Sequence, residues 1–476
     1  MGNTVPINFA INSYQARSGL LSAERVINMY AEKAPNDSSF QVALYNTPGA
    51  TTWLSLDDYN PIYGMQIMGE NLFVVCGLNV YKIDASKTAT LLGSIGTTPG
   101  RVMMTENGTQ VTILTEGGVA YYATTSTVTQ ITDGDYQLAN SVTTLDGYTI
   151  FTKKDSTQFF ISAINDTSSY SALDFASAEA SSDFLVTVLS YNRQLILMGT
   201  QTIEVWYNSG NSTFPFERLD GVLIKVGVIG KYSAVSDLTG VYWLGSDKIF
   251  YRATGYTPER ISTFGIENII NEIDNDALDE AFAFVYTRAG HKFFCYTVPA
   301  ANLTLVYDIN TGLWHERSSV NPQTLVDEEW LANNHASFFN QELVGDKNSG
   351  RIYQLDLDTY TENGTQIISR MISATQFKDF ERLTFDRFTL MMDTGVGIDG
   401  EGQGKDPQIM LKWSTNGAKT YTNEEWQPIG EIGKYDTEVF WTQLGWGRSL
   451  ILDVSISDPV KRAIVGAYIN ITEGFS

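Results

Sequence analysis

The chain reads as an all-β protein, a β-propeller of six or seven blades followed by a C-terminal β-sandwich, and three observations predict it. Apolar strands recur in hairpins at nearly even spacing. The even spacing stops near residue 360, while the strands go on. The composition supplies 25 Tyr, 24 Phe and 40 Gly in 476 residues, the mixture that many short strands and tight turns need. That length exceeds one compact core and suits two or three domains. With 43% hydrophobic and 18% charged residues, the chain is globular rather than disordered.

The repeated unit is a short apolar strand, a polar or glycine turn, and an alternating strand. It appears at 72–84 (LFVVCGLNVYKID), 111–123, 148–162, 195–208, 240–253, 292–308 and 342–356. The starts are 39, 37, 47, 45, 52 and 50 residues apart, and a period of this size with about four strands per unit marks a propeller. One small sheet cannot bury both of its faces; stacking sheets radially covers them and shortens exposed edges. A sandwich of two-stranded meanders would give fewer and less regular hairpins. The segment 42–56 (VALYNTPGATTWLSL) is expected to supply the strand that closes the ring onto the last blade. The boundaries are then 1–40 for an N-terminal extension, 41–360 for the propeller and 361–476 for the sandwich. In the last, strands are expected at 366–373, 382–393, 408–414, 437–444, 449–457 and 462–472.

One helix is predicted over 265–284, with Ile266, Ile269, Ile270, Ile273, Ala277 and Leu278 on one face at three- and four-residue spacing. The opposite face carries Glu267, Glu272, Asp274, Asp276, Asp279 and Glu280. These acids form either a solvated face or a surface turned to a channel or a partner.

The net charge is −23, from 54 acidic and 31 basic side chains, and no cluster of Lys and Arg stands out. A stable nucleic-acid reader needs such a cluster to displace counterions from phosphates, so that class is excluded. An acidic surface suits a protein that DNA passes without adhering. Cys76 and Cys295 sit in apolar runs and read as buried thiols, not a disulfide framework. No signal pattern opens the chain and no apolar run reaches the length of a membrane span, so membrane insertion is not expected. Met1-Gly2 resembles a myristoylation start, but Pro6 occupies the Ser/Thr position. Asn107-Gly108-Thr109 then means turn chemistry alone.

Catalytic, cofactor and metal signals are weak. His291, His315 and His335 lie at no ligand spacing, and His315 reads as an exposed strand end. The run GVGIDG (395–400) matches a dinucleotide fingerprint in letters only, because no helix can start in the EGQGKDPQ that follows; it reads as a long hairpin loop. Asp393, Asp399 and Asp406 fit no calcium-loop spacing. The turn STNGAKTY (414–421) looks like a degraded Asp-box, a folding element. No nucleophile elbow or Cys/His pair occurs. The residues point to a non-enzymatic protein without cofactor.

The N-terminal stretch narrows the reading. SAERVINMYAE (22–32) and ALYNTPGA (43–50) resemble the opening of the packaged-DNA stabilisation proteins of short-tailed bacteriophages, the tail hubs or nozzles. The matching positions are Arg25, Asn28, Tyr30, Glu32, Leu44, Tyr45, Thr47, Pro48 and Gly49. The Thr-Pro-Gly run fits a tight turn with Gly49 at positive φ. The stretches 172–186, 202–221, 402–421 and 429–448 are similar to further family segments in the same order. The resemblance implies a virion structural protein, a homohexameric podovirus tail ring made in the host bacterial cytoplasm. Such a ring lies below the portal and its adaptor or head-completion ring, in the head-tail connection. It extends the DNA channel and retains the genome until DNA ejection, when double-stranded DNA passes through. It also meets a tail needle or tip and tailspikes or fibres. Two other classes fit an acidic propeller: an adhesin module that binds glycans or proteins, and a propeller glycosidase. A size measurement separates the first from the ring, and a glycan-hydrolysis screen tests the second.

Overall fold

The computed structural model describes all residues except 1–2, 8, 10, 35–39, 58, 179–180, 182, 378–380 and 474–476. Parts of the N-terminal extension and of the 172–186 stretch therefore lie outside the described residues.

Seven four-stranded antiparallel units follow one another along the chain. Blades one to five span 62–94, 103–130, 139–177, 185–224 and 234–260, each in simple up-and-down order. Blade six comprises 282–320, and blade seven takes three strands from 332–356. Its fourth, outermost strand is Gly49–Ser55, paired with Arg351–Asp356 from Gly49↔Asp356 to Ser55↔Arg351. The N-terminal segment thus closes the ring, as the sequence predicts. The first strand of each unit touches the first strand of the next, and blade seven returns to blade one.

The predicted hairpins are the second and third strands of each blade. Both strands sit between neighbouring blades, so both faces must be apolar. In blade one Leu72, Phe73, Val74 and Val75 are all fully buried, whereas the outer strand Ala89–Ser94 is largely exposed. The inner strands of blades one, three, four and seven each begin with a bulge, at Ile62/Gly64, Ala139/Ser141, Leu185/Thr187 and Ala332/Asn334. An extra residue there bends the strand and raises its twist, as strands around a narrow axis require.

Beyond blade seven the chain forms two further sheets. One joins Ala23–Ile27, Ser369–Ile372, Ile451–Ile456, Gln408–Ser414 and Glu425–Pro428. The other joins Met29–Lys33, Val42–Asn46, Ala463–Glu473, Leu383–Met392 and Val439–Gly447, with Asn3–Ile7 on the edge. Val26, Met29, Leu44, Phe388, Leu411, Trp441 and Leu452 share the core between them. Each such fully buried side chain contributes roughly 1.5–3 kcal/mol. The stretch before residue 40 is therefore woven into both sandwich sheets.

Two sequence expectations fail here. The helix over 265–284 is two short helices, Phe264–Asn271 and Asn275–Asp279, followed by the inner strand Phe282–Arg288. Thr263 caps the first helix, and Asp274 starts the second in extended backbone. Ile266, Ile270 and Leu278 are buried as expected, because both helices keep one face on the propeller. The 395–400 loop joins Leu383–Met392 to Gln408–Ser414, which lie in different sheets, so it is a crossover between sheets and not a hairpin.

Candidate structural site at the propeller–sandwich junction

The family-like residues 25–49 gather where blade six, blade seven and the sandwich meet. Ala23–Ile27 adds in parallel to the last strand of blade six at Ile27↔Glu316 and pairs on its other side with Ser369–Ile372. One sheet therefore runs without a break from blade six into the sandwich. Met29–Lys33 belongs to the opposite sheet, so the chain changes sheets at a single residue, Asn28.

Asn28 is 1% exposed and has φ +56°, a left-handed conformation that Asn tolerates better than most residues. Its Nδ2 donates to Ile368 O at 2.9 Å and to Ser318 O and Oγ at 3.1 Å each. Its Oδ1 accepts from Ser318 N at 3.0 Å, and its own N–H donates to Glu316 O at 2.9 Å. Its carbonyl accepts from Thr47 N, Thr47 Oγ1 and Ser369 Oγ, all at 3.2 Å. Blade six, the closing segment and the sandwich strand are thus tied at one buried residue, through its side chain and its carbonyl.

Glu316 and Arg317 are neighbours on a strand and point to opposite faces. Glu316 meets Arg25 in a paired contact, with Nε to Oε1 at 3.0 Å and Nη2 on Oε2. Arg317, fully buried, donates from Nη2 to Pro48 O at 3.0 Å, lies 3.7 Å over the Trp330 ring and stands 3.6 Å from Glu362. Burial pushes the Glu362 carboxyl above its ordinary range, and Trp330 Nε1 donates to it at 3.0 Å. Tyr30 packs edge-on to His291 and Phe293; burial first, then the nearby Glu32 charge, pushes its hydroxyl up to about 12. Glu32 is half exposed, its Oε2 3.6 Å from His291 Nε2. The structure thus brings Arg25, Asn28, Tyr30, Thr47, Pro48 and Gly49 together, with Glu32 at the rim.

Gly49 corrects the tight-turn reading. It has no positive φ; a Cβ there would meet Thr359 O at 2.2 Å and Thr361 O at 2.6 Å. Thr47-Pro48 is a passage from Val42–Asn46 of the sandwich to the closing strand of blade seven, and glycine is needed for close backbone approach. His315 is a second correction. It is 3% exposed inside Leu313–Val320, and burial, with Arg317 and His291 near, drives its pKa down to about 3. The apolar Leu313-Trp314 before it was the one local signal, and the charged Glu316-Arg317 after it pointed the other way.

The acidic residues divide. Glu267 is buried and bound to Arg260 Nε at 2.7 Å, Arg260 Nη2 at 2.6 Å and Ser262 Oγ at 2.7 Å, so it faces no channel or partner. Glu272, Asp274, Asp276, Asp279 and Glu280 are exposed. The surrounding protein raises the Asp279 pKa, Lys231 opposes the rise and Asp276 adds to it.

Sequence reasoning missed Arg101. It lies half-buried in the connector between blades one and two. Its Nη1 donates to Asn333 O of blade seven at 2.8 Å, its guanidinium lies 3.5 Å over Phe282 of blade six, and its carbonyl accepts from Tyr232 Oη at 3.0 Å. Burial lowers its pKa to about 10. A lone Arg in a glycine-proline connector carries no pattern that could have marked it.

A closed propeller joined by one continuous sheet to a sandwich, with buried charged residues such as Glu316 and Arg317 holding the junction, defines a protein of the β-propeller class. Residues 14–360 match the family described as Bacteriophage P22 Gp10, beta-propeller, and residues 369–472 match Bacteriophage P22 Gp10, beta-sandwich. The chain belongs to the phage P22 Gp10 family of packaged-DNA stabilisation proteins, as the N-terminal resemblance implies. No curated protein sequence matches it. Similar solved structures include the computationally designed Ika8 protein, at 13% identity and TM-score 0.38, covering 72% of this chain and 99% of that one. Others are a chain of the mitotic checkpoint complex (12%, 0.42, 68% and 95%) and the WD40 propeller domain of Doa1 (11%, 0.39, 65% and 96%).

Proposed function

We propose that this phage structural protein is the repeating subunit of a tail hub, six copies forming a nozzle ring below the portal and its adaptor ring. The ring extends the DNA channel, helps retain the packaged genome, and supports the tail needle or tip and the tailspikes or fibres. The observation that carries this reading is the unbroken sheet from blade six into the sandwich, locked at Asn28 and Arg25. A wall under the load of packed DNA needs domains without a free hinge between them.

Arg101 supports placing the conduit between copies. It ties the connector after blade one to Asn333 of blade seven and Phe282 of blade six, so we place a duplex, whose major groove alone is about 12 Å wide, between copies and not through one propeller. Six copies carry −138 formal charges, six times −23. Where Glu272, Asp274, Asp276, Asp279 and Glu280 line the lumen, phosphates meet repulsion and pass without sticking. Reversing these five to Lys is expected to slow or stall genome ejection from otherwise complete particles. Ejection at the normal rate would remove them from the channel.

A further inference from the structure

Blades four and five leave a cavity of about 170 Å³ between them. Ile196 and Met198 of blade four line one wall, with Val241, Trp243 and Ala253 of blade five opposite. No charged side chain lines it. At its mouth Gln194 Nε2, at the start of the strand Gln194–Gly199, donates to Oη of Tyr256 in an exposed bend at 2.8 Å. An apolar cavity of about 150 Å³ in another protein stays dry and accepts a benzene-sized guest, so this one has room for a ring.

The indole of Trp243 adds a chemical demand. Seven tryptophans are buried, and six donate their Nε1–H: Trp53, Trp206, Trp314, Trp330, Trp413 and Trp441. Trp243, 1% exposed, is the one whose Nε1–H lacks a hydrogen-bond partner among the described residues. A buried donor without an acceptor is costly, and native structures seldom keep one idle. We propose that the cavity between blades four and five is a binding site for a small uncharged ring-sized molecule bearing one hydrogen-bond acceptor. Its ring lies against Ile196, Met198 and Val241, and its acceptor takes the Trp243 Nε1–H.

Acetophenone and α-methylstyrene test this, because they share a shape and differ in the carbonyl. The full chain is labelled at the Trp indole nitrogens and the Met methyls and titrated with each. Acetophenone should move the Met198 methyl and the Trp243 indole signals saturably, and in Trp243→Phe its affinity relative to α-methylstyrene should fall about fivefold. Ala253→Leu should abolish binding by filling the space. Thr254→Trp, at the exposed rim, should weaken it without touching the core. Unmoved Met198 and Trp243 signals at millimolar acetophenone would overturn the site. Binding that survives Ala253→Leu would overturn its location, and an unchanged ratio in Trp243→Phe would overturn the role of the indole.

Discussion

Asn28 and Ser318 exchange three hydrogen bonds, two from Asn28 Nδ2 and one from the Ser318 backbone N–H to Asn28 Oδ1. The pair joins the residue where the chain changes sandwich sheets to the last strand of blade six. Most of the junction follows from that contact, because Thr47 and Ser369 then hang on the Asn28 carbonyl.

Asn28→Ala removes the side-chain bonds to Ser318 and Ile368, keeps those to the carbonyl, and leaves an alanine without a local polar partner at φ +56°. The expected cost is about 3–5 kcal/mol, from unpaired buried groups and the left-handed backbone. Asn28→Gly relieves the backbone part and should cost about 1 kcal/mol less. Urea unfolding of the two variants checks the order; Asn28→Ala within 1 kcal/mol of wild type would contradict the account.

Arg25→Met leaves Glu316, whose side chain is 4% exposed, with its main cation gone. Stranding a buried carboxylate should cost about 3 kcal/mol, and adding Glu316→Gln should restore part of it. A double-mutant cycle in urea measures the coupling. Additive single effects would show that the two side chains do not act as a pair.

Gly49→Ala puts a methyl 2.2 Å from Thr359 O, so backbone must shift where blade seven closes. The expected loss is about 2–3 kcal/mol, at the upper end of ordinary single substitutions. Hydrogen exchange should show it in Arg351–Asp356, the partner strand, before blades two to five respond.

His315 gives a pH dependence of known sign. Its pKa is about 3 in the fold against 6.5 in the open chain, so below pH 6.5 the unfolded state takes a proton that the folded state refuses. This group's contribution is intact above pH 6.5 and is lost as pH falls toward 3, at up to about 1.4 kcal/mol per pH unit. His315→Leu should lose about 2 kcal/mol less than wild type between pH 7 and pH 5. Equal losses would mean that His315 titrates normally.

Much of the propeller was legible because its middle strands are covered on both faces. Leu72–Cys76 and Ile150–Phe151 had to be continuous apolar runs, and their spacing revealed the repeat. The closing strand was legible too, since an unpaired N-terminal strand must find an edge. The junction was not. Ala23–Ile27 pairs with residues near 316 and 371, and no local pattern announces partners so far along the chain. Gly49 misled for a related reason: its need is set by Thr359, over three hundred residues away. The helix prediction over 265–284 continued a true apolar stripe through Ile273 and Asp274, where the backbone turns to feed Phe282–Arg288. Periodicity sees the buried face and not the break.

The most direct test is an image of the particle that carries this chain, at a resolution that separates the blades. The account predicts six copies around one axis, DNA density on that axis between copies, and none through any single propeller. A single copy borne on a fibre, or DNA threading a propeller, would contradict it.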